Sequence, residues 1–152
     1  MPVREMTEAD LPQVLAIQQQ LGFQEWNERE FIAEIRASYA LCVVFEQTNS
    51  IVGYAIFHLM GPDSELLSIA TCESEQGKGI GSALLNAGFE RLDFANGDQV
   101  FLEVREGNEK ARKFYEHHGF AAYAERKKYY SDGENAVLYK KALPRSATCL
   151  KS

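Results

Sequence analysis

Three cysteines, Cys42, Cys72 and Cys149, are all that the chain has; they are odd in number and far apart. This argues against a disulfide framework and against a Cys-x-x-Cys metal site, and makes a reducing cytoplasm the default compartment. No apolar run approaches the roughly 20 residues of a membrane-spanning helix. The opening Met1-Pro2-Val3-Arg4-Glu5 lacks the apolar core of a signal peptide. Positive charge is also in short supply: 16 Lys and Arg against 22 Asp and Glu leave a net charge of -6. Nucleic acid is therefore a poor partner, because phosphate is usually met by a basic face. Ordinary solubility accounts for the acidity, and a cationic acceptor suits it as well. There is no internal repeat, linker or low-complexity segment. What remains is a chain of 152 residues, 45% apolar and 25% charged, the profile of a soluble domain with a real core.

Periodicity divides the chain into an ordered series of elements. Val3 to Met6 reads as a short strand. Thr7 caps a helix with Asp10 at its third position and Leu11, Val14, Leu15 and Gln18 at helical spacing. Asn27 starts a second helix with Phe31, Ile32 and Ile35 on its apolar side. Tyr39 to Glu46, Ile51 to Met60 and Glu65 to Thr71 are strands, separated by Thr48-Asn49-Ser50 and Gly61-Pro62-Asp63. Residues 81–95 predict a helix with Leu84, Leu85, Gly88, Phe89 and Leu92 in one stripe. Val100 to Val104, almost wholly apolar, predicts a strand covered on both faces. Asn108 caps a helix carrying Ala111, Phe114, Tyr115 and His118, which Gly119 ends in a left-handed conformation. Phe120 to Tyr130 and Ala136 to Lys141 pair through Ser131-Asp132-Gly133. The tail after Pro144 is polar and predicted to fray.

The segment Gln76-Gly77-Lys78-Gly79-Ile80-Gly81-Ser82 joins the third strand of this meander to the following helix. Glycines permit positive φ and close approach of a ligand. A helix start presents N–H groups and the positive end of a dipole. Strand, glycine-rich turn and helix together make a pocket for a pyrophosphate. A Walker A loop would need Gly-Lys-Ser/Thr, whereas here Lys78 precedes Gly79. A dinucleotide fingerprint would need a third glycine where Ser82 stands.

Two side chains stand out as acid–base groups. Glu103 interrupts the apolar Leu102-Glu103-Val104-Arg105 run, where burial would raise its pKa; an outward-pointing glutamate, or one paired with Arg105, fits the same pattern. Tyr115 offers a phenol that can donate a proton, and reads equally as an amphipathic core tyrosine. Trp26, Tyr129 and Tyr130 suit either an acceptor groove or core packing and cross-strand contact. Cys72 reads as a small apolar filler. His58, His117 and His118 show no metal-ligand spacing and no evident partner.

Gln76, Gly79 and Gly81 occupy the positions of the Gln/Arg-x-x-Gly-x-Gly/Ala signature, and the segment resembles that of the GCN5-related N-acetyltransferases. The order strand, two helices, three strands, helix, strand, helix, two strands matches their fold over about residues 2–143. The resemblance implies an α/β (α+β) domain over 1–143, a central mixed, mostly antiparallel seven-stranded sheet with helices on both faces, and a polar tail at 144–152. Leu66 to Ala70, Gln76 to Leu85, Leu102 to Asn108, Ala111 to Phe120, and the late Tyr129-Tyr130 with Gly133-Glu134-Asn135-Ala136, resemble the RimI-type branch. Those enzymes acetylate the α-amine of a ribosomal protein.

What the resemblance implies for the site is specific. Ile69, Ala70 and Thr71 pair through backbone with the pantetheine of acetyl-coenzyme A. Gln76, Gly77, Lys78, Gly79, Ile80, Gly81 and Ser82 hold its pyrophosphate, and Asn108 contacts it too. Glu103 is the general base and Tyr115 the general acid. Acceptor contacts fall to Trp26, Tyr129 and Tyr130. No metal takes part, and the protein is a monomer or homodimer in the cytoplasm with no membrane or nucleic-acid partner. The chain departs from the pattern at Thr71-Cys72-Glu73, where an apolar residue and proline are frequent, and at Glu75, where an aromatic is common. It also departs at Glu25, where proline is usual, and at Asn135, where aspartate is. The last two put the acceptor in doubt. A polyamine, an aminoglycoside or a lysine side chain remains open as acceptor, as does a non-catalytic acyl-coenzyme A sensor.

Overall fold

The computed structural model describes residues 2–22 and 26–142. The elements follow the expected order: β1 (Val3–Glu5), α1 (Leu11–Gln20), α2 (Glu28–Arg36), β2 (Ala40–Gln47), β3 (Ser50–His58), β4 (Asp63–Thr71), α3 (Ile80–Phe89), β5 (Gln99–Arg105), α4 (Glu109–His117), β6 (Ala121–Arg126) and β7 (Ala136–Lys141). The strands form one seven-stranded sheet in the order β1-β2-β3-β4-β5-β7-β6. The pairings of β1 with β2, β2 with β3, β5 with β7 and β6 with β7 are antiparallel, and that of β4 with β5 is parallel. The chain divides into two compact units, one running to Leu59 and resuming over Leu66–Leu92, the other taking Met60–Glu65 and the chain from Asp93 onward.

In the first unit the caps are local and legible. Asn27 Oδ1 accepts from the Glu30 N–H at 2.8 Å while the Glu30 carboxylate accepts from the Asn27 N–H at 2.9 Å, a reciprocal capping box. The Asp10 carboxylate accepts from the Thr7 N–H at 2.8 Å and also takes the fork of Arg4, both nitrogens at 2.9 Å. Arg4 holds the Asp10 carboxyl below the ordinary carboxylate range. Thr48 and Asn49 turn β2 into β3 with φ of 52° and 62°, the left-handed pair of a two-residue hairpin.

Strand β3 is buried along almost its whole length. Tyr54 and Ile56 face the helices α1 and α2, where Phe31 meets Tyr54 edge-on at 5.8 Å and Leu11, Val14 and Ile17 complete the cluster. The alternate positions face α3: Gly53 lies under Ile80 and Leu84, and Gly88 lies against the Phe57 ring. Helices therefore cover both faces of this part of the sheet.

Three expectations are corrected. Helix α3 stops at Phe89, so Leu92 falls outside it; the Asp93 carboxylate accepts from the Asn96 N–H and starts a separate 3-10 turn, closed by Gly97 at φ 98°. Strand β5 is not covered on both faces, because Val100, Leu102 and Val104 are buried while Glu103 and Arg105 are exposed. Strand β6 ends at Arg126, so Tyr129 and Tyr130 lie in the connection 127–135 and not in a paired strand. Glu25 and the tail, with Cys149, lie outside the described residues.

Gly88→Ala tests the packing of α3. The helix itself would gain about 1 kcal/mol from alanine, but the new Cβ would overlap the Phe57 ring, an overpacking that costs about 1–3 kcal/mol. A net loss of stability is expected in a denaturant melt; a net gain would show that Phe57 moves aside freely.

Candidate active site

The first unit supplies a backbone cradle. Strand β4 ends at Thr71, whose carbonyl accepts from Gln76 Nε2 at 3.0 Å, so the signature glutamine folds the loop back on the strand end. The Cys72 N–H donates to the Val52 carbonyl at 2.8 Å. Gln20 Oε1 accepts from the Glu73 N–H at 3.3 Å, tying α1 to the same loop. Glu75 accepts from Gln47 Nε2 at 3.0 Å and from Lys78 Nζ at 3.3 Å, and these bonds lower its pKa. The acid that replaces an aromatic here thus moors the loop to β2.

Gly77 and Gly79 then take φ of 82° and 85°, and a Cβ at either would meet open space. Backbone angle, not crowding, requires glycine at both. Gly79 is the N-cap of α3 and brings no side-chain oxygen to it, so the positive end of this helix is built from backbone alone. Ile80 is buried and Ser82 half-buried in its first turn.

In the second unit, the parallel ladder joins Asp63–Glu65 to Gln99–Phe101, two residues before Glu103. Glu103 is exposed, the outward-pointing one of the readings its strand pattern allows. It stands at a cavity of about 190 Å³ lined by Glu65, Phe101, Leu102, Glu103, Tyr123, Arg126 and Leu138. The Arg126 guanidinium, which lines this cavity, lies 5.4 Å from the centre of the Tyr129 ring, and the nearby Glu103 carboxylate pushes the Tyr129 pKa up; Glu65 adds to the rise and Arg126 opposes it. The predicted base and one predicted acceptor residue are thereby brought together.

Arg105 is not the partner of Glu103. Its guanidinium bonds Asp132 and Glu134, both at 2.9 Å, and lies 4.1 Å from the centre of the Tyr130 ring. Exposed ion pairs of this kind contribute little to stability, being screened by water. They set the geometry of a loop more than the stability of a fold.

Asn108 caps α4, its Oδ1 accepting from the Ala111 N–H at 3.2 Å, and Gly119 closes the helix at φ 91°. Tyr115 is half-buried among Phe114 at 5.5 Å, Phe120 at 5.7 Å and Tyr139 at 6.4 Å between ring centres. Tyr139 is fully buried; its hydroxyl accepts from Arg112 Nε at 2.9 Å and donates to Glu116 Oε2 at 2.8 Å. Burial raises its pKa. Tyr139 pairs with Leu102 in the sheet and its hydroxyl is held by α4, so α4 covers the Leu102 face of β5. Glu103, one residue on, points to the other face. Base and acid candidates therefore approach from opposite sides of the sheet.

The remaining candidates are placed as follows. Trp26 is half-buried and its ring is 5.2 Å from Phe31, in keeping with core packing. Its backbone is clamped by the buried Gln18, which donates to its carbonyl at 2.7 Å and accepts from its N–H at 3.3 Å. Cys72 packs against the apolar cluster. His58 does have a partner, Glu34, at 2.5 Å. No group of three metal-ligating side chains occurs among the described residues, and no described helix is long and apolar enough to cross a membrane.

Sequence reasoning passed over Glu65, Tyr123 and Arg126 at the cavity, and Tyr139 behind Tyr115. Glu65 follows Asp63 and Ser64 in its strand, so nothing beside it in sequence set it apart. Arg112 and Glu116, four apart on α4, carried the signal for a shared partner.

The acetyltransferase (GNAT) family model matches residues 4–120. The chain is 33% identical over 131 residues to N-alpha-acetyltransferase RimI of Mycobacterium tuberculosis, covering 82% of this chain and 81% of that one. It is 32% identical over 149 residues to an uncharacterized N-acetyltransferase of Methanocaldococcus jannaschii, covering 96% and 94%. The crystal structure of the ribosomal-protein-S18-alanine N-acetyltransferase from Escherichia coli superposes with a TM-score of 0.80 at 28% identity, covering 93% of this chain and 94% of that one. The chain belongs to the GNAT family of acetyltransferases and is an N-acetyltransferase by that membership.

The link between Glu103 and Tyr129 is open to titration. Glu103→Gln removes the negative charge that disfavours the phenolate, so Tyr129 should titrate at a lower pH than in the unmodified protein, nearer the ordinary value of about 10. Tyrosine 13C NMR across a pH series reads this directly, and an unmoved Tyr129 signal would break the link.

Proposed function

We propose that this chain transfers acetyl from acetyl-coenzyme A to the N-terminal α-amine of a protein in the cytoplasm, a ribosomal protein being the acceptor suggested by its relatives' names. The observation that carries the reading is Glu103 in the lining of a cavity shared with Arg126, whose guanidinium lies against Tyr129. An α-amine has a pKa near 8, so a carboxylate acting directly or through a water suffices to take its proton. The thioester is already reactive, and the protein has mainly to place and polarise it.

In the proposed step the amine lone pair attacks the thioester carbonyl carbon. Glu103 takes the ammonium proton, and strand amides near Thr71 meet the oxyanion. The tetrahedral intermediate collapses with cleavage of the C–S bond, and Tyr115 gives its proton to the departing thiolate. The products are an N-acetylated terminus and free coenzyme A. Backbone of Ile69, Ala70 and Thr71 pairs with pantetheine, residues 76–82 hold the pyrophosphate, and Asn108 contacts the cofactor. Tyr129 and Tyr130 contact the acceptor, with Trp26 as a third contact. The exposed position of Glu103 suits a base that must reach a proton on an incoming chain.

A second acceptor is favoured by one feature: Glu65 and Glu103 both line the cavity, and two carboxylates suit a polyamine cation. Thiol release with mass spectrometry separates the readings. The panel is peptides beginning Ala-Arg, Ser and Met, lysine peptides, polyamines and aminoglycosides. Acetylation confined to a peptide α-amine is expected. Turnover on spermidine alone would move the acceptor class, and silence across the panel would favour an acyl-coenzyme A sensor.

Tyr115→Phe should lower kcat by about 100-fold or more while leaving acetyl-coenzyme A affinity within about twofold, as loss of a general acid does. An unchanged kcat would remove Tyr115 from that role.

A further inference from the structure

We propose that Arg105 is the positioning residue of the 127–135 connection, pinning it to the β5–α4 turn so that Tyr129 stands beside Glu103. The connection is not held by burial: residues 127–129 and 131–133 are exposed, and only Tyr130 among residues 127–133 is half-buried. A segment with so little buried apolar surface keeps its shape through polar ties or not at all.

Those ties converge on Arg105. It follows Glu103 by two residues and so shares its face of the strand. Its Nη1 bonds Asp132 Oδ2 and Glu134 Oε1, both at 2.9 Å, and its guanidinium covers the Tyr130 ring. The other oxygen of Glu134 accepts from the Gly107 N–H at 2.8 Å. A Cβ at Gly107 would come within 2.8 Å of that same oxygen, so any side chain there would dislodge the contact. Asp132 Oδ1 accepts from the Glu134 N–H at 3.0 Å, and the Gly133 N–H donates to the Tyr130 carbonyl at 2.9 Å, which closes the turn.

A second tie holds the other side of Tyr129. Lys128 takes φ 52°, a left-handed angle unfavourable for a lysine, and its N–H donates to Asn135 Oδ1 at 2.9 Å. The Asn135 carbonyl in turn accepts from the Glu106 N–H at 3.0 Å. Tyr129 is thus bracketed by an anchored Lys128 and an anchored Tyr130. Arg105 suits the task better than a lysine would, because its planar guanidinium lies on an aromatic face while one of its nitrogens bonds two carboxylates. The Arg126 guanidinium lies 5.4 Å from the centre of the Tyr129 ring and lines one cavity with Glu103 and Glu65, and these three are the charged groups that act on the Tyr129 phenol.

The test compares Arg105→Gln, Arg105→Lys and the exchanged pair Arg105→Glu with Glu134→Arg. In Arg105→Gln, amide exchange over 128–135 should quicken about tenfold with β5 and β7 amides unchanged, which also reports that the fold is intact. The Tyr129 titration should fall as its phenol leaves Glu103. Acceptor-peptide KM should rise severalfold with kcat and acetyl-coenzyme A affinity little changed. Arg105→Lys should recover these in part, and the exchanged pair less, because it restores one ion pair but loses the Asp132, Gly107 and Tyr130 contacts. Wild-type exchange and titration in Arg105→Gln would overturn the proposal, as would altered exchange with an unmoved Tyr129. Only the KM readout rests on the function proposed above. Failure of that reading would show in wild-type turnover, and amide exchange and the Tyr129 titration would still decide the role of Arg105.

Discussion

Two left-handed glycines govern what the first unit can offer a ligand. Gly77 and Gly79 sit at φ of 82° and 85° with open space around their missing side chains. They turn the chain sharply off the end of β4 and start α3 without a side-chain cap. A helix start of this kind presents backbone N–H groups and the positive end of the dipole, which is what a pyrophosphate needs. The surrounding bonds serve this turn: Gln76 is tied to Thr71, Glu75 to Gln47 and Lys78, and Glu73 to Gln20. Behind it, α3 can lie close on β3 only because Gly53 and Gly88 leave room for Ile80, Leu84 and Phe57.

The second unit separates chemistry from packing by strand alternation. Val100, Leu102 and Val104 go to the core beneath α4, and Glu103 and Arg105 go to solvent. Each exposed residue has its own work: Glu103 meets Tyr129, and Arg105 holds the loop that carries it. On the buried side, the Tyr139 hydroxyl is shared between Arg112 and Glu116, which fixes the helix that bears Tyr115. The phenol proposed as acid thus rests on a helix, and the proposed base stands by the 127–135 connection, which is held by polar ties.

The order of all the strands and the four α-helices was legible in the sequence, because caps and periods are local signals. Asn27, Asn108 and Gly119 act as their residue types predict. The errors came where a local polar group or a tertiary choice intervened. Asp93 ends the helical run before Leu92, and β6 gives out at Arg126 because Arg105, Glu134 and Asn135 hold the following residues elsewhere. The apolar look of β5 suggested two covered faces, but which face is covered depends on α4, and no period within the strand encodes that. Of the site, the cradle and the acid–base candidates were readable as residues. Glu65, Arg126 and Tyr123 were not, since their meeting with Glu103 depends on sheet pairing between distant segments.

Everything proposed for the chemistry requires that the end of β4 and the start of α3 form an acetyl-coenzyme A cradle. Backbone amide NMR during titration with acetyl-coenzyme A tests this most directly. Saturable shifts are expected, centred on Gly77–Ser82 and on Ile69–Thr71 and largest at the N–H groups that would meet the pyrophosphate. Saturable binding with those amides unmoved, or no binding at all, would contradict it.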